Sequence, residues 1–290
     1  MAYGYYPGCS LHATAKEYNI SMRAVCNTLS IDLREVEDWN CCGATPAHTT
    51  KEELGIALPY SNLVNASRQG LEDLVAPCAA CYNRLKNADY AVSHSSLVKE
   101  RMNTIVGALA EKDIRIINIL EFFRDVYGQD DLRAAVKRPL SGLNVACYYG
   151  CLLVRPSKVL NFDDAEDPRS MDELTGLLGA RAVEWSCKTE CCGGSHAIPE
   201  TDIVLELGRR IFSAAEKSGA NCIAVACPLC HANLDMRQKQ INDRFGTTFR
   251  MPVFYITQLI GLALGIPARE LGIESHFINS AALLEKSFNS

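Results

Sequence analysis

The amino-acid sequence predicts an α/β fold of two tandem, duplicated domains, each a small, mostly parallel sheet with flanking helices. Three observations support this prediction. A pattern of five cysteines occurs once in each half of the 290 residues. The chain also matches itself after a shift of about 149 residues, as when Leu85 falls on Leu234. Short apolar runs alternate with helical patterns, which is the order that builds a parallel sheet beneath crossover helices.

The repeat gives each half one order of elements. This order is a strand, a cysteine, a helix, a strand, a cysteine pair, a helix, a strand, a Cys-x-x-Cys motif and a helix. In the second half the apolar runs predict strands over 143–148, 181–185 and 222–226. Apolar residues between 203 and 215 recur at helical spacing and predict a helix there.

Polar, proline and glycine residues over 137–142 indicate a junction between the halves. We therefore predict a first domain over 1–138 and a second over 139–290, each with its own metal site at the carboxyl ends of its strands. The halves differ by an extra helical stretch over 95–111 in the first and an acidic insert over 163–167 in the second.

The ten repeated cysteines are the predicted metal ligands. The first set is Cys9, Cys41, Cys42, Cys78 and Cys81, and the second set is Cys151, Cys191, Cys192, Cys227 and Cys230. Neighbouring side chains in an extended segment point to opposite sides, so the adjacent pairs suit several metal atoms better than one tetrahedral ion. An ordinary [4Fe–4S] cube uses four cysteines and each set has five, which predicts a multi-iron cluster in each half.

Charge and composition exclude several classes of protein. A net charge of −5 without a basic stripe argues against nucleic-acid binding. The N-terminus shows no targeting signal, and the longest apolar stretch, 253–266, is too short and too polar to span a bilayer. We therefore predict a cytoplasmic protein without membrane insertion, in which dense cysteines indicate metal or redox chemistry rather than disulfides. Because no nucleotide-binding motif is present, we expect one component of a larger complex.

The cysteine motifs and their flanks resemble the B subunit of heterodisulfide reductase, a family with two cysteine-rich CCG domains. The segments that support the resemblance are 6–12, 77–85, 149–156 and 227–235, and the match spans nearly the whole chain. The 34 residues between Cys192 and Cys227 are slightly fewer than the family's usual spacing.

The resemblance implies a noncubane [4Fe–4S] cluster in each five-cysteine set, with both clusters facing one substrate pocket at the domain interface. It implies an oxidoreductase of methanogenesis that reduces the mixed disulfide of coenzyme M and coenzyme B to two thiols. Two one-electron centres beside one S–S bond supply the two electrons required. The implied partners are the iron–sulfur C subunit and the flavin-containing A subunit of the heterodisulfide reductase complex.

Other residues near the motifs allow both functional and ordinary interpretations. His48, His196 and His231 are weak catalytic candidates for giving a proton to a departing thiolate, although a supporting hydrogen bond or a surface position explains them as well. Three cations, Arg84, Arg155 and Lys188, suit the anionic groups of the coenzymes, and surface charge is their ordinary explanation.

Four cysteines lie outside the repeat. Cys26 and Cys222 fit small core positions. Cys147 and Cys187 each lie four residues before a predicted ligand and are alternative ligands, but structural roles are favoured because neither has a counterpart in the first half.

Three alternative functions stay open. The first is a heterodisulfide-reductase-like subunit of a sulfur-oxidising or other electron-transfer complex that acts on another thiol or persulfide. The second is a CCG-domain subunit that relays electrons without catalysis of its own. The presence of two complete five-cysteine sets argues against this function. The third is a structural zinc protein, which the adjacent cysteine pairs disfavour.

Overall fold

The computed structural model describes residues 2–44 and 47–288, apart from the side chains at 48 and 49. Its strands form two sheets of four strands each. They are β1 (Ala2–Tyr5), β2 (Asp32–Glu35), β3 (Asp73–Ala76), β4 (Arg115–Asn118), β5 (Asn144–Tyr148), β6 (Arg181–Ala182), β7 (Cys222–Val225) and β8 (Val253–Tyr255). The strand order is β2-β1-β3-β4 in the first sheet and β6-β5-β7-β8 in the second, and every pairing is parallel.

The helices connect and cover the strands. In the first half they are α1 (Gly8–His12), α2 (Lys16–Thr28), α3 (Ala47–Thr50), α4 (Glu52–Arg68), α5 (Ala79–His94), α6 (Ser96–Val106), α7 (Ile119–Glu121) and α8 (Gln129–Ala135). In the second half they are α9 (Ser157–Leu160), α10 (Ser170–Leu177), α11 (Thr201–Lys217), α12 (Pro228–Asp235), α13 (Gln238–Phe245), α14 (Ile256–Ala263) and α15 (Ala281–Phe288). A π-helical segment covers Phe122–Gly128, and short 3₁₀ turns cover Gly194–His196, Ala268–Leu271 and Ile273–Ser275.

The two sheets have the same topology because the same pattern of residues recurs in each half. The inner strands are buried, as β7 is along its whole length, which suits a strand covered by helices on both faces. The outer strand β2 alternates between exposed and half-buried residues. Parallel pairing brings the carboxyl ends of β1, β2 and β3 to one edge of the first sheet, and the ends of β5, β6 and β7 to one edge of the second.

The structure confirms the predicted fold class and corrects some elements. Each half has a fourth strand, β4 or β8, that the repeat of cysteine motifs did not indicate because no cysteine motif directly follows it. The strand predicted over 181–185 ends at Ala182. Beyond Ala182 the chain turns away from β5. The carbonyl of Cys147 accepts a hydrogen bond from the indole N–H of Trp185 (3.1 Å) instead of the backbone N–H that a longer strand would supply.

The helices α2 and α14 pack against each other and join the two halves. At their crossing the hydroxyls of Ser21 and Thr257 lie 2.7 Å apart, and neither side chain is exposed. Ser21 donates its own hydrogen to the carbonyl of Tyr18 (3.0 Å), so Thr257 is the donor in the pair. Within the described part of the chain, no helix has both the length and the apolar character needed to cross a bilayer.

We predict that Ser21→Ala destabilises the protein more than Thr257→Val. The first change leaves a buried hydroxyl donor unpaired at a cost of about 1–3 kcal/mol, whereas the second leaves Ser21 bonded to Tyr18. Chemical unfolding of the anaerobically purified protein measures both variants and the double variant. The double variant should be less destabilised than the sum of the single changes, and strict additivity would contradict this account.

Candidate metal centre

The predicted ligands of each set follow the carboxyl ends of three neighbouring strands. In the first half Cys9 lies in α1 just after β1, the pair Cys41–Cys42 follows β2, and Cys78 comes two residues after β3. The second set occupies the same places after β5, β6 and β7. Because parallel strands end at one edge, segments far apart in sequence meet there.

Within each set the sulfurs approach one another as pairs. The Sγ atoms of Cys9 and Cys41 lie 3.8 Å apart, and those of Cys42 and Cys81 lie 3.3 Å apart. In the second set the Sγ atoms of Cys192 and Cys230 lie 3.5 Å apart. Across residues 2–44 and 47–288, no three His, Cys, Asp or Glu side chains are arranged as ligands of a single metal ion. The sulfurs are therefore gathered at each strand edge without converging on one point.

A glycine before the first cysteine of each set lies against a sulfur of the Cys-x-x-Cys motif. Gly8 has a φ of +70°, and a Cβ there would lie 2.7 Å from the sulfur of Cys81. Gly150 has a φ of +66°, and a Cβ there would lie 3.2 Å from the sulfur of Cys230. Both positions require glycine for the left-handed backbone and for the close approach to sulfur.

In each half a tyrosine anchors the cysteine pair, a role that the sequence did not lead us to expect. The hydroxyl of Tyr6 donates to the carbonyl of Asn40 (2.6 Å), directly before Cys41. In the second half the hydroxyl of Tyr148 donates to the carbonyl of Glu190 (2.6 Å), directly before Cys191. Both tyrosines stand three residues before the first cysteine of their set, so the repeat itself contained the signal.

In a hydrogen-bonded pair of thiols, one thiol ionises more readily than the other. Contacts with Cys41 and Cys81 lower the pKa of the Cys42 thiol to about 4. A hydrogen bond with Cys151 lowers the pKa of Cys191 to about 6, while the pKa of Cys151 is raised. Because the thiols of a set lie close together, only some of them ionise in the absence of metal. Deprotonation of all five requires bound cations that neutralise the negative charge.

The two sets meet where their Cys-x-x-Cys motifs face each other. The thiols of Cys78 and Cys227 interact across the halves, and Cys227 raises the pKa of Cys78. The backbone N–H of Ala79 donates to the carbonyl of Ala226 (3.2 Å). The buried hydroxyl of Tyr18 lies 2.9 Å from the carbonyl of Pro77 and 3.5 Å from that of Ala226, the residues directly before the two motifs. No pattern in the sequence indicates this role for Tyr18.

A cavity of about 270 Å³ lies between the halves, next to the second set. All five cysteines of the second set line it, together with Ala44, Ala79, Ala80, Asn83, Arg84, Tyr149, Leu152, Gly194, Ser195 and Leu229. The first half contributes α5 residues and Ala44 to the wall, but none of its cysteines. The two sets therefore differ in their access to this space.

An ionic network supports the first cysteine of the second set. The buried ammonium of Lys188 lies 2.9 Å from Asp172 and 3.1 Å from Asp167, in the acidic insert. The hydroxyl of Tyr149 donates to Asp172 (2.6 Å), and the carbonyl of Lys188 accepts from the N–H groups of Tyr149 and Gly150. The network thus fixes the segment that leads into Cys151.

This network removes Lys188 from the candidate anion binders, since its charge is neutralised. Arg155 is likewise paired, with Glu166 at 2.9 Å. Arg84 differs from both, because one nitrogen donates to the carbonyl of Gly55 (2.6 Å) and no ion pair forms with it among the described residues.

The three candidate histidines occupy unlike positions. His196 is exposed. His231 is buried, lies 3.1 Å from the carbonyl of Val253 and stacks on Tyr255, and burial lowers its pKa to about 3. The side chain of His48 lies outside the described residues.

The remaining cysteines lie apart from the sulfur pairs. Cys26 in α2 and Cys222 at the start of β7 are buried core residues, as their positions in the sequence predict. Cys147 is buried in β5, 3.4 Å from the hydroxyl of Thr175, and burial raises the pKa of its thiol. Cys187 is half-buried beside Ser186.

Comparison with known proteins defines the class of protein that this fold and this arrangement of cysteines represent. The cysteine-rich CCG domain matches residues 3–86 and 145–235, once in each half. The chain therefore belongs to the CCG cysteine-rich domain family, and the prediction of two such domains is confirmed.

Relatives that align along most of the chain divide between two kinds of complex. A protein of Wolinella succinogenes named 8-methylmenaquinol:fumarate reductase membrane anchor subunit is 32% identical over 97% of this chain and 98% of its own length. The B subunit of the ferredoxin:CoB-CoM heterodisulfide reductase of Methanosarcina mazei is 32% identical over 90% of this chain and 88% of its own length. The predicted resemblance to the B subunit of heterodisulfide reductase is thus confirmed at the level of the family.

A solved structure shares the arrangement of the whole chain. The crystal structure of a hypothetical protein from Helicobacter pylori superposes with a TM-score of 0.75 over 96% of this chain. The sequence identity is 11%, and the chain spans about half (52%) of that protein. This likeness supports the fold alone.

We predict that Gly8→Ala impairs assembly of the first metal site specifically. The new methyl group would contact the sulfur of Cys81, in addition to straining the left-handed backbone. The matched control is Gly107→Ala, where φ is +78° but a Cβ meets nothing within 4 Å. Iron and acid-labile sulfide should fall by roughly half in Gly8→Ala and stay unchanged in Gly107→Ala. Equal metal content in the two variants would contradict the prediction.

Proposed function

We propose that this chain is the disulfide-reducing iron–sulfur subunit of an oxidoreductase complex of the heterodisulfide reductase type. The observation that supports it is the cavity between the halves, which all five cysteines of the second set line. A reaction at the sulfurs needs such a space for a substrate, whereas electron relay between buried centres does not. The proposed substrate is the mixed disulfide of coenzyme M and coenzyme B, as the relatives' names suggest.

We further propose that each five-cysteine set holds one [4Fe–4S] cluster, of the noncubane type that the sequence resemblance implies. The donor set fits, because thiolates are the ligands of iron–sulfur clusters and these sulfurs are gathered from three segments. Gly8 and Gly150 place no Cβ against the sulfurs of Cys81 and Cys230. The N–H of Gly193 lies 3.3 Å from the sulfur of Cys191, where it stabilises negative charge.

In the proposed reaction, two electrons and two protons cleave one S–S bond and give two thiols. The clusters would supply electrons one at a time at low potential. The protein's own part is to hold the disulfide between α5 and the second set, where Ala79, Ala80 and Leu152 give the cavity an apolar lining. The contact between Cys78 and Cys227 keeps the first set next to the second, so that electrons have a short path across the halves.

Electrons would come from partner subunits. We propose the iron–sulfur C subunit and the flavin-containing A subunit of a heterodisulfide reductase complex as these partners, since relatives are named as subunits of heterodisulfide reductases. The chain itself supplies no nucleotide motif for a flavin.

A second candidate function is that of an electron relay within a fumarate-reducing complex. The Wolinella succinogenes protein supports it, because the alignment covers 97% of this chain and 98% of that protein at 32% identity. In this case both clusters would pass electrons between partner subunits without a disulfide substrate.

We predict that single ligand changes remove one cluster each. Beyond the iron of its partner subunits, the native complex should contain about eight irons per chain, and Cys42→Ala or Cys192→Ala should lower these eight to roughly half, because each belongs to a different set. Cys26→Ala and Cys222→Ala are matched controls at buried cysteines outside the sets and should keep the full iron content. Iron and acid-labile sulfide analysis measures all four. Zinc without sulfide in the native protein would overturn the cluster proposal.

We predict that the anaerobically purified complex reduces the coenzyme M–coenzyme B disulfide with reduced viologen as the electron donor. Two thiols should appear for every two viologen electrons consumed. A cluster-replete complex that leaves the disulfide unchanged, but whose clusters are reoxidised by fumarate, would support the relay function instead.

A further inference from the structure

A second, smaller cavity between the halves has an acidic lining. Its volume is about 110 Å³, and residues of α1, α2, α12 and the segment 275–277 contribute to its wall. The side chains of Glu17 and Asp235 belong to this wall. The cavity beside the second cysteine set is more than twice as large, at about 270 Å³. The acidic cavity therefore suits the end of one long side chain better than a whole coenzyme.

No cation among the described residues neutralises these two carboxylates. Asp235 is 2% exposed, and its oxygens accept from the backbone N–H groups of Phe277 (2.7 Å) and Ile278 (3.1 Å). Glu17 is half-buried and accepts a long hydrogen bond from the hydroxyl of Tyr255 (3.4 Å). Burial raises the pKa of both carboxyls, that of Asp235 to about 6, and the charge of Glu17 adds to this rise. A buried carboxylate is costly unless a cation compensates it, so the wall has a place for positive charge.

A buried histidine gives the same cavity an unused hydrogen-bond acceptor. His231 lines the cavity and is 5% exposed. Its Nε2 lies 3.1 Å from the carbonyl of Val253, so Nε2 carries the ring hydrogen and Nδ1 is an acceptor in the neutral ring. Nδ1 makes no hydrogen bond with any residue that the structure describes. Since no three such groups there are arranged around a single metal ion, the cation that fits is an ammonium or a guanidinium, which carries several N–H donors.

Exposed apolar side chains surround the acidic cavity. Leu229 (38% exposed), Met236 (50%) and Phe277 (67%) all line it. Apolar side chains that are scattered singly need no explanation, whereas three around one cavity indicate a surface that another protein covers. The rim is thus apolar and the wall is acidic, which is the arrangement of an interface with one buried charged anchor.

This surface lies close to both cysteine sets. Ser10 directly follows the first cysteine of the first set, Leu229 directly precedes the last cysteine of the second set, and both residues line the acidic cavity. Stacked rings also connect the cavity with the junction of the motifs, because Tyr255 in the wall stacks on Tyr18 with ring centres 4.0 Å apart. A protein bound here has its own redox centre near both sets, and an electron donor is the partner that this position favours.

We propose that the electron-donating partner subunit docks on this surface and inserts a lysine or arginine side chain into the acidic cavity. The inserted cation binds to Glu17, Asp235 and the Nδ1 of His231, while apolar side chains of the partner pack on Met236 and Phe277. The identity of the partner as an electron donor rests on the proposed function, since both candidate functions need one. The cation and the apolar contact rest on the surface alone. Charged pairs of this kind set the choice of partner and the rate of association.

Reduction of the clusters by the partner tests the proposal without any disulfide. The anaerobically purified chain is mixed with the reduced partner subunits that co-purify with it, and absorbance follows reduction of the clusters. Glu17→Gln should raise the partner concentration that gives half the maximal rate by ~10-fold or more, because a carboxylate–cation pair is lost. Glutamine keeps an oxygen for the hydroxyl of Tyr255. Reduced viologen needs no partner and should reduce the native chain and the variant at equal rates. The matched control Glu216→Gln, at an exposed carboxylate of α11, should change neither rate.

Ionic strength separates the charged contact from the apolar one. Binding of the partner to the native chain should weaken as salt is added, and Glu17→Gln should show a smaller salt dependence because one charge of the pair is gone. Phe277→Ala should weaken binding and keep the native salt dependence. The matched control Leu97→Ala removes an apolar side chain of α6 that is similarly exposed (75%) and lies outside the surface, so it should change neither property. Iron content is measured for every variant.

Cluster reduction and disulfide reduction together distinguish failure of the proposal from failure of the proposed function. If no disulfide is reduced, but the partner reduces the native clusters and binds Glu17→Gln weakly, the docking surface holds and the proposed reaction is wrong. If disulfides are reduced and Glu17→Gln with full iron content keeps native affinity and salt dependence, the reaction holds and the docking surface is wrong. Loss of self-association in Glu17→Gln and Phe277→Ala, with unchanged binding of the partner, would assign the surface to a second copy of this chain and would also overturn the proposal.

Discussion

The contact between the two Cys-x-x-Cys motifs is the constraint on which the rest of the site depends. The N–H of Ala79 donates to the carbonyl of Ala226, and the hydroxyl of Tyr18 reaches carbonyls of both halves. Through these bonds the strand edges of two separate sheets face each other, and Cys78 meets Cys227. A duplicated domain alone would give two independent sites. This junction makes them neighbours, and the cavity exists because α5 of one half lies over the cysteines of the other.

Much of the fold was predictable because the cysteines mark the ends of the strands. Two sheets, their parallel pairing and the helix at 201–217 follow from apolar runs at strand and helix spacing. The fourth strands were not predicted, since no cysteine motif directly follows β4 or β8. The shortness of β6 was not predictable either, because a tertiary hydrogen bond from Trp185 to Cys147 replaces the ladder that local β-propensity favours.

The candidate site was predictable in its ligands and less so in its surroundings. Spacing in the repeat identified the ten cysteines, and the same repeat contained Tyr6 and Tyr148, which were overlooked. Tyr18 was beyond sequence reasoning, because its partners lie 59 and 208 residues away. The sequence alone also made Arg84, Arg155 and Lys188 equally good candidates for binding an anion. Only the folded chain separates them, since pairing with Glu166, Asp167 and Asp172 depends on where the acidic insert folds.

The crossing of α2 and α14 has a consequence for how the chain reaches its final state during synthesis. Ser21 and Thr257 are 236 residues apart, and Tyr18 stacks on Tyr255 with ring centres 4.0 Å apart. The inner face of α2 therefore stays uncovered until the ribosome has made nearly the whole protein, although the first sheet is complete at residue 118. An N-terminal half that forms early must wait with an apolar face exposed, a state prone to association. The junction of the motifs also needs residues of both halves, so the two cysteine sets become neighbours only after residue 226 has been made.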